Sequence, residues 1–282
     1  MTTAYVLSGG ASHGSIQVGM AIALEERGIT PDLIVGTSVG AINGAWLAGG
    51  RPAVGLADLW HGLERADLFP LHPLLGLRAF AGRSTHFVPD AALRSTLSRH
   101  LPFDMIEDAS TPLIVVAADA LSGEEVLLTS GNAVDAVTAS ASLPAIYPPA
   151  RVNVGGRERL LVDGAIVNNI AITTAVDAGA TDVWVLSTGY SCDLTEPPDT
   201  ALAAALHAVS LMVQRRFALE MAANTYDVPI HLISPPCPVL VSPIDFTQSA
   251  ELIERAAETT RTWLDAGEPN AQSVPTVHSA SG

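Results

Sequence analysis

Residues 32–46 read DLIVGTSVGAINGAW, which places an apolar β-run, a Gly-x-Ser-x-Gly pentapeptide and a helical pattern in immediate succession. The run after Asp32 is short, rich in β-branched residues and closed by glycine, so it reads as a strand buried on both faces. Ile42, Ala45, Trp46 and Gly49 recur at helical spacing, so a helix follows at once. A chain passing so abruptly from strand to helix must double back sharply, and Gly36 and Gly40 supply the room. Ser38 then takes the strained apex of a nucleophile elbow, with the partial positive charge and unpaired N–H groups of the helix N-terminus directed at it. The pentapeptide alone marks many tight turns. Its strand-before, helix-after context is what makes Ser38 a candidate nucleophile.

The same rhythm recurs elsewhere. Strand-like runs start at Ala4, Pro112, Glu125, Arg159, Asp182 and Ile230, and a helical stripe of Ile16, Met20, Ala23 and Leu24 ends before Gly28. Strand and helix alternate through the first fifty residues and again from Arg159 to about Ile233, which predicts parallel βαβ units. The expected fold class is therefore α/β, with a mainly parallel central sheet flanked by helices. With 282 residues, 48% of them hydrophobic and 15% charged, the chain has ample material for one large core. A single domain over residues 1–265 is expected, with residues 266–282 as a disordered tail of small, polar and proline residues. The segment Asp67–Gly82 breaks the rhythm with prolines, Leu and Phe; it reads either as a loop packed on the core or as a lip of an apolar substrate groove.

Charge and composition exclude several chemistries. The net charge of −15 argues against nucleic acid as a partner. The chain has no lysine, all 14 basic residues being arginine, so Schiff-base chemistry and a Walker-type phosphate loop lack the residue they require, and in so acidic a chain a polybasic membrane patch is not expected. No signal-peptide pattern follows Met1, and no apolar run reaches membrane-spanning length. Cys192 and Cys237 stand in neither a metal-binding nor a redox spacing. The expectation is a cytoplasmic protein with two reduced thiols and no metal or organic cofactor.

Two further loops join strands to helices. SGGASHG, Ser8–Gly14, can cradle a pyrophosphate or aim N–H groups at the oxyanion of an acyl-transfer intermediate. It has Ala11 where a dinucleotide fingerprint needs glycine, and a right-handed crossover puts it at the same sheet edge as Ser38, so the oxyanion reading is favoured. VDGAIVNN, Val162–Asn169, places Asp163 at a strand end, where it can cap a helix or serve as the base that a serine hydroxyl needs. His207 and His231 satisfy the Ser, acid, His order of the α/β-hydrolases and carry a competing triad; neither they nor His278 lies in the loop context usual for a triad histidine.

Together, the stretch from Val6 to Trp46, the run SASLPAIYPP from Ser140 to Pro149, and VDGAIVNN resemble the patatin-like phospholipase family. The resemblance implies a three-layer α/β/α fold and a Ser-Asp dyad without histidine, with Ser38 as nucleophile and Asp163 as general base. It also implies an oxyanion hole at Gly9, Gly10, Ala11 and Ser12, assisted by the N–H of Val39. The family usually has a third glycine at the position of Ala11 and a basic residue at that of His13. The expected partner is a fatty-acyl ester such as a phospholipid, lysophospholipid or acylglycerol, met with transient membrane or micelle contact. An acyltransferase or thioesterase on the same dyad and a non-catalytic lipid-binding relative are the alternatives. The sequence leaves the oligomeric state open and assigns no chemical role to the Ser140–Pro149 run.

Overall fold

The computed structural model describes residues 1–70, 81, 84–189, 201–223, 226–237, 239 and 242–267, leaving aside the side chains of residues 201–203 and 206. Among the described residues, eight strands form one sheet. Strands β1 (Thr3–Leu7), β2 (Leu33–Thr37), β3 (Leu113–Asp119), β7 (Asp182–Leu186) and β8 (Ile230–Ile233) lie parallel to their neighbours in the order β3, β2, β1, β7, β8. Side chains alternate between two buried faces, as in β1, where Tyr5 and Leu7 enter one hydrophobic cluster and Ala4 and Val6 the other.

The first, larger cluster is covered by α1 (Gly14–Glu26), α2 (Val39–Ala48), α3 (Ala53–Gly62), α5 (Ala91–His100), α6 (Ala133–Ser140) and α9 (Ser249–Asp265). A short turn of helix, α4 (Arg65–Leu68), adds Leu68 to it. The stripe Ile16, Met20, Ala23 and Leu24 is fully buried, and α1 stops ahead of Gly28, whose φ of 70° suits only glycine well. On the other face, α7 (Ile172–Asp177) and α8 (Ala201–Ala223) pack through Ile172, Ala175 and Phe217.

Two expectations need correction, and one strand was not foreseen. The run from Arg159 becomes β6 (Arg157–Asp163), which is antiparallel to β3 rather than part of a parallel βαβ unit. It forms a hairpin with an unexpected strand, β5 (Ala150–Val154), through Gly155 and Gly156, whose positive φ values make the tight turn that matches strand twist. Finally, Cys237 is disulfide-bonded and is not the reduced thiol expected. Cys192, His278, residues 71–80 and 82 of the Asp67–Gly82 segment, and residues 268–282 of the expected tail lie outside the described residues.

The antiparallel entry of β6 positions the site. Along β3, strand β4 (Glu125–Leu128) pairs with Val115–Ala118, β2 pairs through its Ile34–Thr37 with Leu113–Val116, and β6 pairs with Ala117–Asp119. Since β4 overlaps both β2 and β6 along β3, those two must share the opposite edge and meet end to end. Thr37 is opposite Val116 and Asp163 is opposite Ala117. The residue after Thr37 therefore faces the last residue of β6.

Candidate active site

Ser38 follows β2 and caps α2 with φ 57° and ψ −124°, a conformation that costs an L-residue on the order of 1–3 kcal/mol. The surrounding close packing imposes it. A Cβ on Gly36 would lie 2.6 Å from the carbonyl oxygen of Gly40, and one on Gly40 would lie 2.2 Å from that of Leu7. Both glycines are thus required by backbone against backbone. The N–H of Ser38 donates to Ser140 Oγ at 2.8 Å, and that hydroxyl donates onward to the carbonyl of Val116 at 2.6 Å. Ser140 thereby fixes the elbow to β3.

The Ser38 hydroxyl donates to Asp163 Oδ2 at 2.6 Å. Asp163 is 2% exposed, and its second oxygen accepts the N–H of Ala165 at 2.9 Å. Burial pushes its pKa up to about 6, against the opposing pull of the hydrogen bonds from Ser38 and Ala165. The carboxyl is therefore a stronger base than an exposed aspartate and is still mostly ionised at neutral pH. Gly164 lets β6 end here, because a Cβ would stand 2.3 Å from the Val116 carbonyl oxygen.

The Gly9 loop closes over Ser38. A Cβ on Gly9 would lie 3.0 Å from the Cβ of Ser38, and one on Gly10 would lie 2.2 Å from Thr188 Oγ1. Two of the expected oxyanion donors are committed elsewhere, and this corrects the list. The N–H of Gly9 donates to Asn169 Oδ1 at 2.9 Å, and that of Ser12 to the carbonyl of Pro243 at 2.9 Å. The N–H groups of Gly10, Ala11 and Val39 have no acceptor among the described residues. Ala11 holds a φ of 51°, where glycine is the easier residue. Thr188 Oγ1 donates to the Gly9 carbonyl, and Gln17 Nε2 donates to the carbonyls of Ser8 at 2.8 Å and Leu186 at 3.0 Å, so the loop is tied to β7 and α1.

No histidine among the described residues hydrogen-bonds to Ser38 or Asp163. His231 Nε2 meets Asp182 Oδ1 at 2.8 Å, and its ring stacks on Trp184 with centroids 4.1 Å apart. It is level with Tyr5 in the sheet, three strands across and four residues back from Ser38, a separation on the order of 15–20 Å. His207 lies on α8, which packs on the second face.

Beside the elbow, a narrow slot of about 40 Å³ runs between α2, α3, α4 and α5. Its walls are almost wholly apolar and include Val39, Ile42, Trp46, Leu59, Leu68 and Leu97. Leu68 thus belongs both to the core and to the slot, as both readings of the Asp67–Gly82 segment allow. Phe69 stacks on Tyr147, whose hydroxyl donates to the Leu68 carbonyl at 2.6 Å, joining the Ser140–Pro149 run to this wall.

Ser140 and Asn169 lie within the runs SASLPAIYPP and VDGAIVNN, yet nothing in the sequence assigns either side chain a part. The available signal was a polar side chain inside each stretch. Its backbone partner becomes visible only when β3, β6 and the Gly9 loop are assembled.

The family model described as patatin-like phospholipase matches residues 5–176. The chain belongs to this family. It is 30% identical over 188 residues to patatin-like phospholipase domain-containing protein 6 of Mus musculus, a match covering 67% of this chain and 14% of that protein. It is also 30% identical over 200 residues to lysophospholipase NTE1 of Mycosarcoma maydis, covering 70% of this chain and 10% of that protein. The chain thus matches only a small part of these much longer relatives. The structure is similar to that of VipD from Legionella pneumophila, with a TM-score of 0.54 at 17% identity over 94% of this chain and 67% of VipD, a likeness of fold. No described helix is long and apolar enough to cross a membrane.

Proposed function

We propose that the protein is a serine acyl hydrolase that cleaves fatty-acyl esters of phospholipid, lysophospholipid or acylglycerol type through a Ser-Asp dyad. The observation that carries this reading is the 2.6 Å hydrogen bond from the Ser38 hydroxyl to a buried Asp163 carboxylate. Ser38 Oγ attacks the ester carbonyl carbon as its proton passes to Asp163 Oδ2. The carbonyl electron pair moves onto oxygen, and the N–H groups of Gly10, Ala11 and Val39 receive the resulting charge at the α2 N-terminus. Each well-aimed donor contributes about 3–4 kcal/mol to the transition state. Asp163 then returns its proton to the departing alkoxide, leaving an acyl-Ser38 ester. Water attacks that ester with Asp163 again as base, releasing the fatty acid and restoring the serine.

The apolar slot starting at Val39 suits an acyl chain better than a polar leaving group. Its present volume is nearer that of one water than of a whole chain, so side chains such as Leu59 must shift as a chain enters. Hydrolysis of short p-nitrophenyl esters and of phosphatidylcholine tests the proposal. Turnover is expected in the native protein and is lost in Ser38→Ala; turnover that survives the substitution would overturn the assignment.

A further inference from the structure

Helix α8 carries apolar residues around most of its circumference, yet only one side of it is covered. Phe217 and Met221 bed into the second hydrophobic cluster. On the opposite side Leu211 is 47% exposed, Met212 65% and Leu219 53%. Helical spacing puts Leu211, Arg215 and Leu219 in one row and Met212 and Arg216 in the next, and together they form an open, exposed strip on the helix. Single exposed leucines are ordinary, whereas a contiguous strip of them on one helix face calls for a covering partner.

The two arginines define that partner. Six arginines, Arg27, Arg94, Arg151, Arg159, Arg255 and Arg261, meet Asp or Glu; among the described residues Arg215 and Arg216, like Arg51, Arg65, Arg99 and Arg157, form no such pair, and these two alone stand together inside an exposed apolar strip. Long cationic side chains within an apolar strip can lay their stems on it and raise their heads to anionic groups, as at the boundary between lipid phosphates and acyl chains. A second copy of the chain fits poorly. Arg215 sits midway between Leu211 and Leu219, so a two-fold contact centred on this row would set the arginines of each copy against their counterparts.

We propose that this face of α8 docks on a phospholipid surface, with Leu211, Met212 and Leu219 entering the acyl boundary and Arg215 and Arg216 meeting the phosphates. The proposal names the surface from which a lipid hydrolase would draw substrate and rests on that reading for its purpose, while the contact itself is measured without turnover. Because the net charge of −15 opposes an anionic bilayer, zwitterionic phosphatidylcholine is the surface of choice.

Co-sedimentation of the full chain with phosphatidylcholine vesicles tests it. The native protein and Ser38→Ala are expected to partition equally. Leu211→Ser with Met212→Ser is expected to lower the partition coefficient about tenfold. Arg215→Glu with Arg216→Glu is expected to lower it at least as far, and both double variants keep native turnover of a short soluble ester. Failure of the native protein to bind, or native-like binding by both double variants, would overturn the proposal. So would a lipid-free dimer dissolved by the Leu211 and Met212 substitutions, which would assign the face to a second copy. Absence of soluble-ester turnover from the native protein would instead count against the hydrolase reading and leave the vesicle result standing.

Discussion

Replacing Asp163 with asparagine is expected to stabilise the fold while abolishing turnover. Asparagine has nearly the shape of the acid and resembles its protonated form, so the substitution removes the cost of keeping a charge in a site only 2% exposed. The folded carboxyl titrates near 6 and an unperturbed one near 3.8, a difference equivalent to about 3 kcal/mol. Below the lower value both folded and unfolded chains hold the proton, and the penalty is absent. Between the two values the unfolded chain releases its proton while the folded chain retains it, so native stability falls as pH rises. Above about 6 the penalty is complete. Thermal melting of the native protein and Asp163→Asn should therefore coincide near pH 4 and diverge to roughly 6–12 °C by pH 8, with the variant higher. Equal melting temperatures at pH 8, or a gap independent of pH, would refute the electrostatic account of this carboxyl.

Three other substitutions probe the elbow and the slot. Ser140→Ala strips the Ser38 N–H of its acceptor and should cost about 1–3 kcal/mol of stability; steady-state kinetics should show a lower kcat with KM little changed. Gly40→Ala would force a methyl group to 2.2 Å from the Leu7 carbonyl, so circular dichroism and turnover should report a destabilised, inactive protein. Leu59→Ala widens the apolar slot, and a chain-length series of p-nitrophenyl esters should shift its optimum toward longer acyl groups.

The strands of the parallel core were legible because their apolar, β-branched runs end at turn residues, and the elbow was legible because Gly36, Ser38 and Gly40 stand between strand and helix. The direction of β6 was not legible. A strand's orientation is decided by its tertiary neighbours, and the run before Asp163 reads alike in either sense. Strand β5 escaped notice because ARVNV alternates polar and apolar residues, although the Gly155-Gly156 pair that follows is a hairpin signal. The meeting of Ser38 and Asp163 was expected from a shared carboxyl edge; in the structure their hydrogen bond arises because β2 and β6 converge end to end along β3. Within the Gly9 loop, sequence could list N–H groups but not their acceptors. Asn169 and Pro243 lie far along the chain from the amides they engage. The disulfide at Cys237 was illegible for the same reason, since spacing alone does not bring thiols together.

The claim at the centre is that Ser38 is a nucleophile whose proton Asp163 accepts. Intact-mass spectrometry after exposure to a fluorophosphonate, followed by peptide mapping over a pH series, tests it most directly. The expected result is one adduct, on Ser38, absent in Ser38→Ala and nearly absent in Asp163→Asn, with a labelling rate that rises through pH 6 as the carboxyl ionises. An unmodified Ser38, or labelling equally fast in Asp163→Asn, would contradict it.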